Sequence, residues 1–244
     1  MLKDILDRLS LKNEDIYFSF PAELTYISLY DKVPKQMVQA LVDKDVWLTE
    51  LKFGRDLIEE SDCQVKVVYK EDGSTFLTSV YYPKIIYSLI SSACQENKCN
   101  LVGLGVNIFN ATEIAKQSFT GTSYVVVGFG NNEFEMANVV QDTVIGYARF
   151  TSVNEHVLFY ARSGEISGRL CEAIVNRDAE TLQEHQIFLT GNSVNLRNMN
   201  ELEKVHLKTR ILNPMTVNAG YLKPSVAYDK QYDTVFSYAL GALI

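Results

Sequence analysis

Histidine and cysteine are scarce in this chain, and clustered positive charge is missing. The three histidines (His156, His185, His206) and four cysteines (Cys63, Cys94, Cys99, Cys171) are spread over 244 residues. None forms a C-x-x-C or H-E-x-x-H, so no zinc site is legible. P-loop and G-x-S-x-G patterns are absent too. Free cysteine ordinarily serves as a small buried apolar residue, which is the reading adopted here; no local motif supports a Cys–His nucleophile pair. Cys94 and Cys99 lie five residues apart near the end of an expected helix and would point apart unless that helix has already ended. No apolar run reaches the ~18–20 residues that span a bilayer. The N-terminal Met1–Arg8 segment carries acids within its apolar pattern and lacks a signal-peptide core. A cytoplasmic protein without direct membrane insertion is expected. Basic residues number 23 against 30 acidic ones, a net charge of −7, with no basic cluster to displace counterions, so nucleic acid is not an expected partner.

Apolar residues make up 47% of the chain and charged residues 22%, which excludes a disordered or low-complexity polymer and leaves one large domain or two small ones. Leu2, Ile5, Leu6 and Leu9 recur at helical spacing over residues 2–10. Asp15–Phe20 and Leu24–Tyr30 read as strands broken by Pro21. Pro34 opens a helix to about Val42. Val46–Ser61 is ambiguous. Cys63–Lys70 and Thr75–Tyr82 form an expected hairpin across Glu71-Asp72-Gly73-Ser74, where Asp-Gly supplies positive φ. Pro83 starts a helix to about Asn97 with Ile86, Leu89, Ile90 and Ala93 inward. A strand at Leu101–Val106 and a helix at Ile108–Lys116 complete the first half.

After a polar linker, Ser118–Ser123, three strands follow in succession: Tyr124–Phe129, Glu133–Val140 and Val144–Phe150. The first is an apolar run suited to burial on both faces. Then come a helix near Ile166–Asn176, a strand at Gln186–Thr190 ending at Gly191, a turn and helix at Val194–Val205, a strand at Leu207–Leu212 and a closing helix at Tyr232–Leu243. The order β-β-β-α-β-α-β-α gives a mixed α/β sheet with helical crossovers.

Three stretches resemble the PilM family of type IV pilus assembly proteins, within the actin-like superfamily. Tyr124–Phe150 is similar to the family's apolar strand, Asp-x-Gly turn and two strands closing on an arginine. Ile187–Ser193 is similar to a strand ending in Leu-Thr-Gly-Gly. Asn213-Pro214 and Tyr238–Leu243 are similar to an Asn-Pro segment and a final Ala-Leu-Gly helix. The stretch Leu24–Pro34 is also similar to a family strand that runs into a proline and a helix. The resemblance implies an actin-like (ribonuclease H-like) two-lobed fold. An incomplete first lobe spans residues 1–117, with an inserted subdomain at about 31–81, and a second lobe spans 118–244. It further implies a bacterial scaffold on the inner-membrane platform of a type IV pilus or type II secretion system. That scaffold would be peripheral to the membrane and would receive a membrane-protein tail.

The departures from that pattern point away from catalysis. The opening phosphate hairpin has no counterpart. Gly128, in Val127-Gly128-Phe129-Gly130, occupies the position of the Asp that organises the metal. Phosphoryl transfer rests on positioning metal, nucleophile and cationic groups, and losing one such element costs on the order of 10²–10³ in rate. No cofactor is therefore expected. Asn192 replaces a second glycine, and Asn198 falls where a small residue is usual. Gly128, Gly130, Asn131, Gly191 and Asn192 are the residues where any remaining ATP contact would be made. Gly128, Gly130 and Gly191 read more readily as plain turn and strand-end residues, since glycine pairs are common turn formers.

Two other functions stay open at this point: an ATPase completed by a partner chain, and a small-molecule enzyme using Glu133, Asp142, His156 and His185. Glu133 and Glu135 alternate on one strand and read as an acid pair or as a solvated face. Seven tyrosines (Tyr17, Tyr26, Tyr30, Tyr69, Tyr81, Tyr82, Tyr87) read as core, with an exposed subset suited to a partner groove. An open sheet edge near Tyr17 suggests a homodimer or a covering partner.

Overall fold

The computed structural model describes residues 12–21, 24–44, 61–69, 75–130, 133–191 and 196–212. The expected helix over residues 2–10, the Glu71–Ser74 turn and the closing helix lie outside these. The chain divides into two compact units, Met1–Gly105 and Val106–Ile244.

In the first unit, strand β1 (Asp15–Phe20) shares a two-stranded sheet with β5 (Asn100–Val106). Between them in sequence lies a separate antiparallel sheet of order β2-β4-β3, built from β2 (Tyr26–Val33), β3 (Ser61–Tyr69) and β4 (Thr75–Pro83). The hairpin expected from Cys63–Lys70 and Thr75–Tyr82 is present, pairing from Ser61↔Pro83 to Tyr69↔Thr75. β2 starts later than expected and outlasts Tyr30. An irregularity between Tyr30 and Val33, with Lys32 at φ +53°, re-aims the chain before Val33 pairs with Thr75. Pro34 caps a 3-10 turn (Lys35–Met37) leading into helix α1 (residues 38–44).

Pro83 likewise precedes helix α2 (Lys84–Glu96), where a missing N–H costs nothing. Ile90, Ala93 and Cys94 are buried and Ile86 packs with them, but Leu89 is 62% exposed, as is Ile85. At about 100° per residue, Leu89 falls roughly 80° from the middle of the buried stripe, too far round to reach the core. The core here joins Phe20, Tyr82, Ile90, Cys94 and Cys99, with Phe20 stacked on Tyr82 at 5.6 Å.

In the second unit, a six-stranded sheet has the order β11-β10-β6-β7-β8-β9. Its strands are β6 (Ser123–Phe129), β7 (Phe134–Val140), β8 (Thr143–Val153), β9 (His156–Gly164), β10 (Ile187–Gly191) and β11 (Thr209–Ile211). β6 to β9 form an antiparallel meander, while β10 runs parallel to both β6 and β11. The meander thus has four strands where three were expected. Residues 124–129 of β6 are all buried, as the apolar run requires.

Helix α3 (Asn107–Ser118) covers one face with Ile108, Ala111, Ile114 and Ala115, and Tyr124 Oη donates to Thr112 O at 3.1 Å. Helix α4 (Gly168–Asn176), the short α5 (Ala179–Leu182) and α6 (Leu196–Val205) serve the other. There Val125, Val127, Met136, Phe150 and Leu189 pack with Leu170, Ile174, Leu182 and Met199. Ser167 Oγ caps α4 by accepting from Leu170 N. Asp178 caps α5 and takes the Thr181 hydroxyl at 2.7 Å, a bond that holds its carboxyl below the usual range.

Two outcomes test this packing. Leu189→Ala, at a fully buried site in β10, should cost about 2–5 kcal/mol by denaturant midpoint, whereas Leu158→Ala, 52% exposed on β9, should stay within about 0.5 kcal/mol. His206 is buried with Nδ1 2.7 Å from Thr209 Oγ1, and burial above all, then Lys208 and His185, pushes its pKa below 6.5. The folded state therefore binds this proton less readily than the unfolded chain. Stability should fall as pH drops below about 6.5, and His206→Gln should flatten that fall in thermal melts at pH 7.5 and 5.5.

Candidate functional site

In an open α/β sheet, ligands gather outside the carboxyl ends of parallel strands. β6, β10 and β11 share a direction, so Phe129, Gly191 and Ile211 finish at one sheet edge. The register sets Gly128 beside Thr190 and Phe129 beside Gly191. Gly128 and Gly191, distant in sequence, thus lie one register position apart on adjacent strands. Asn131 and Asn192 lie outside the described residues.

The glycines here have structural work. Gly130 N–H donates to Glu133 O at 2.8 Å and closes the β6–β7 hairpin. A Cβ at Gly130 would stand 3.2 Å from Glu133 O, a tight but adjustable contact. At Gly191 the fit is closer: a Cβ would meet Phe129 O at 2.7 Å and Phe129 Cβ at 3.0 Å. Only a residue without a side chain lets β10 end against β6 at this spacing.

Charged residues border these strand ends: Glu135 pairs in register with Gly128, and Glu133 forms an ion pair. Arg149 Nε lies 3.0 Å from Glu133 Oε2, and both atoms are shut off from solvent. They meet at ion-pair distance without hydrogen-bond alignment, so the attraction is Coulombic. Arg149 also sits 5.3 Å over the Tyr160 ring and pairs in register with Glu135. The alternating acids are therefore only partly exposed and share one strand neighbour, Arg149, rather than facing open solvent. Opposite charges at neighbouring strand positions were the available sequence signal for this pairing.

Glu133, Asp142, His156 and His185 do not converge. Glu133 and His156 fall toward the edge where β6 ends, and Asp142 and His185 toward the opposite edge. The length of β7 separates them, roughly 20 Å at ~3.3 Å per residue. Asp142 instead pairs with Lys116 at 3.2 Å. Asn198 accepts from Arg177 Nη2 at 3.5 Å. Cys171 is fully buried, and burial pushes its thiol up to about 12, so it is not a thiolate at neutral pH. Among the described residues, no three His, Cys, Asp or Glu side chains gather to hold a metal ion. Of the tyrosines, Tyr81 and Tyr82 are buried, while Tyr17 and Tyr87 are about 40% exposed.

No family model and no curated protein matches this sequence. Solved structures do. A PilM-PilN type IV pilus biogenesis complex aligns with a TM-score of 0.61 at 14% identity, over 99% of this chain and 82% of that one. A Bacteroides thetaiotaomicron protein with an actin-like ATPase fold and unknown function gives 0.47 at 12% identity, over 87% and 75% of the two chains. The cytoplasmic domain of EpsL, an inner-membrane component of the Vibrio cholerae type II secretion system, gives 0.44 at 8%, over 78% and 66%. The first alignment, together with the strand order of the second unit, carries the assignment: the chain has an actin-like α/β fold.

The Gly191 contact generates a mutational expectation. Gly191→Ala should destabilise by about 1–3 kcal/mol, the usual range for forced overpacking, and Gly130→Ala by clearly less. Urea midpoints of the two variants check the order.

Proposed function

We propose that this chain is a non-catalytic actin-like scaffold of a type IV pilus or type II secretion platform, holding the cytoplasmic tail of a membrane partner. The observation that carries the reading is the alignment of nearly the whole chain with a PilM-PilN pilus biogenesis complex. No described helix is long and apolar enough to cross a membrane; in this proposal the chain attaches through the partner. The site favours binding over turnover. Gly128 supplies no carboxylate to organise a metal, Gly130 is engaged in a hairpin, and Gly191 stands against Phe129. A partner tail would bind as an extended peptide or short helix, modes that need exposed backbone or an apolar groove rather than a phosphate cradle.

The test has two arms on the purified full chain. Calorimetric titration with Mg–ATP should give no binding heat, and phosphate release should stay at the buffer background. The synthetic N-terminal tail of the pilus-platform membrane protein from the same genome should bind without nucleotide. ATP turnover, or failure of the tail to bind while the chain is folded, would overturn the proposal.

A further inference from the structure

Helix α2 ends in a motif that places two cysteines together. Lys98 adopts φ +59°, the left-handed conformation. Cys99 N–H donates to Cys94 O at 2.8 Å, and Lys98 N–H donates to Gln95 O at 3.0 Å. These paired bonds are the Schellman closure of a helix, in which the residue just past the left-handed one packs on the last helical turn. Here those two residues are Cys94 and Cys99. Both are buried, at 1% and 5% exposure, and both belong to the core with Phe20, Tyr82 and Ile90. Covalent geometry on either side of a 2.8 Å N···O bond leaves the two Cα atoms about 5–6 Å apart. Disulfides span about 4.4–6.8 Å.

We propose that Cys94 and Cys99 form a modification site, an oxidisable dithiol that closes to an internal disulfide across the end of α2, with a low-molecular-weight disulfide such as glutathione disulfide as oxidant. Cys99, the more exposed, attacks as its thiolate. It forms a mixed disulfide and releases one glutathione. Cys94 then loses its proton and displaces the second glutathione, forming the Cys94–Cys99 bond. Two S–H bonds and one S–S bond break. One protein S–S bond forms, and two electrons and two protons pass to the oxidant, which leaves as two thiols. Burial above all, then the neighbouring Cys99, raises the Cys94 pKa, which slows the second step.

The bond would tie α2 to the start of β5. There Asn100 N–H donates to Glu14 O at 2.9 Å, and Asn100 Nδ2 donates to Asp15 Oδ1 at 3.1 Å. Oxidation would therefore fix the junction between the helix that leaves the three-stranded sheet and the β1–β5 pair.

Lys98 lies between the two cysteines, which makes the test direct. The folded full chain is equilibrated with excess glutathione disulfide, quenched with an alkylating reagent and digested with trypsin without reductant. The expected result is one species joining residues 85–98 to residues 99–116, two hydrogens lighter than the separate thiol peptides, which splits on reduction. Any of four results would overturn the proposal: both peptides alkylated and separate, a stalled glutathione adduct, a bond to Cys63 or Cys171, or a joined species that forms only in guanidinium chloride.

Discussion

The second unit is organised by one requirement: β6 can meet water on neither face. Val125 and Val127 point to one side of the sheet, and Tyr124 and Val126 to the other, all at 2% exposure or less. A strand of this kind needs partners along both edges and helices above and below. β7 and β10 supply the edges. α3 covers one face, and α4 and α6 the other. The aromatic residues divide accordingly, with Phe119, Tyr124 and Phe188 in mutual contact, and Phe129, Phe134 and Phe150 forming a chain of rings.

The same packing decides what the strand ends can offer. β6 and β10 finish side by side only because Gly191 brings no Cβ against Phe129. Glycine at such an edge is often taken as room for a phosphate. Here the room is filled by the neighbouring strand, and the next glycine closes the hairpin through its own N–H. Charge follows the same rule. Glu133 faces Arg149, and the arginine is held further by the Tyr160 ring. Both charges are thus engaged within the sheet.

Sequence periodicity reached most of this architecture, and its failures have local causes. The β3/β4 hairpin, the apolar β6 run and the proline-capped helix α2 were legible because each satisfies propensity and burial together. β9 was not. Its turn, Asn154-Glu155, adopts left-handed φ at both positions without glycine, so the usual hairpin signal is missing. Its Val157–Tyr160 run is apolar without polar alternation, although β9 lies at the sheet edge and is largely exposed. The site glycines were found by resemblance, but whether they open space or close it depends on strand register. That register is set by long-range pairing and not by any local motif.

The cysteine spacing shows how a sequence rule can be correct and still mislead. Positions five apart on a continuous α-helix diverge in direction. The helix instead stops at Glu96, and Lys98 turns left-handed. The chain then folds back over the last turn, and a spacing that argues for separation becomes one that enforces contact. Lysine has no special ease in that conformation, which costs any non-glycine residue roughly 1 kcal/mol. The surrounding structure carries that cost through two recovered carbonyl bonds and the burial of both thiols. The left-handed turn and the cysteine contact therefore depend on each other: relaxing Lys98 to right-handed backbone would extend the helix and carry Cys99 out of the core.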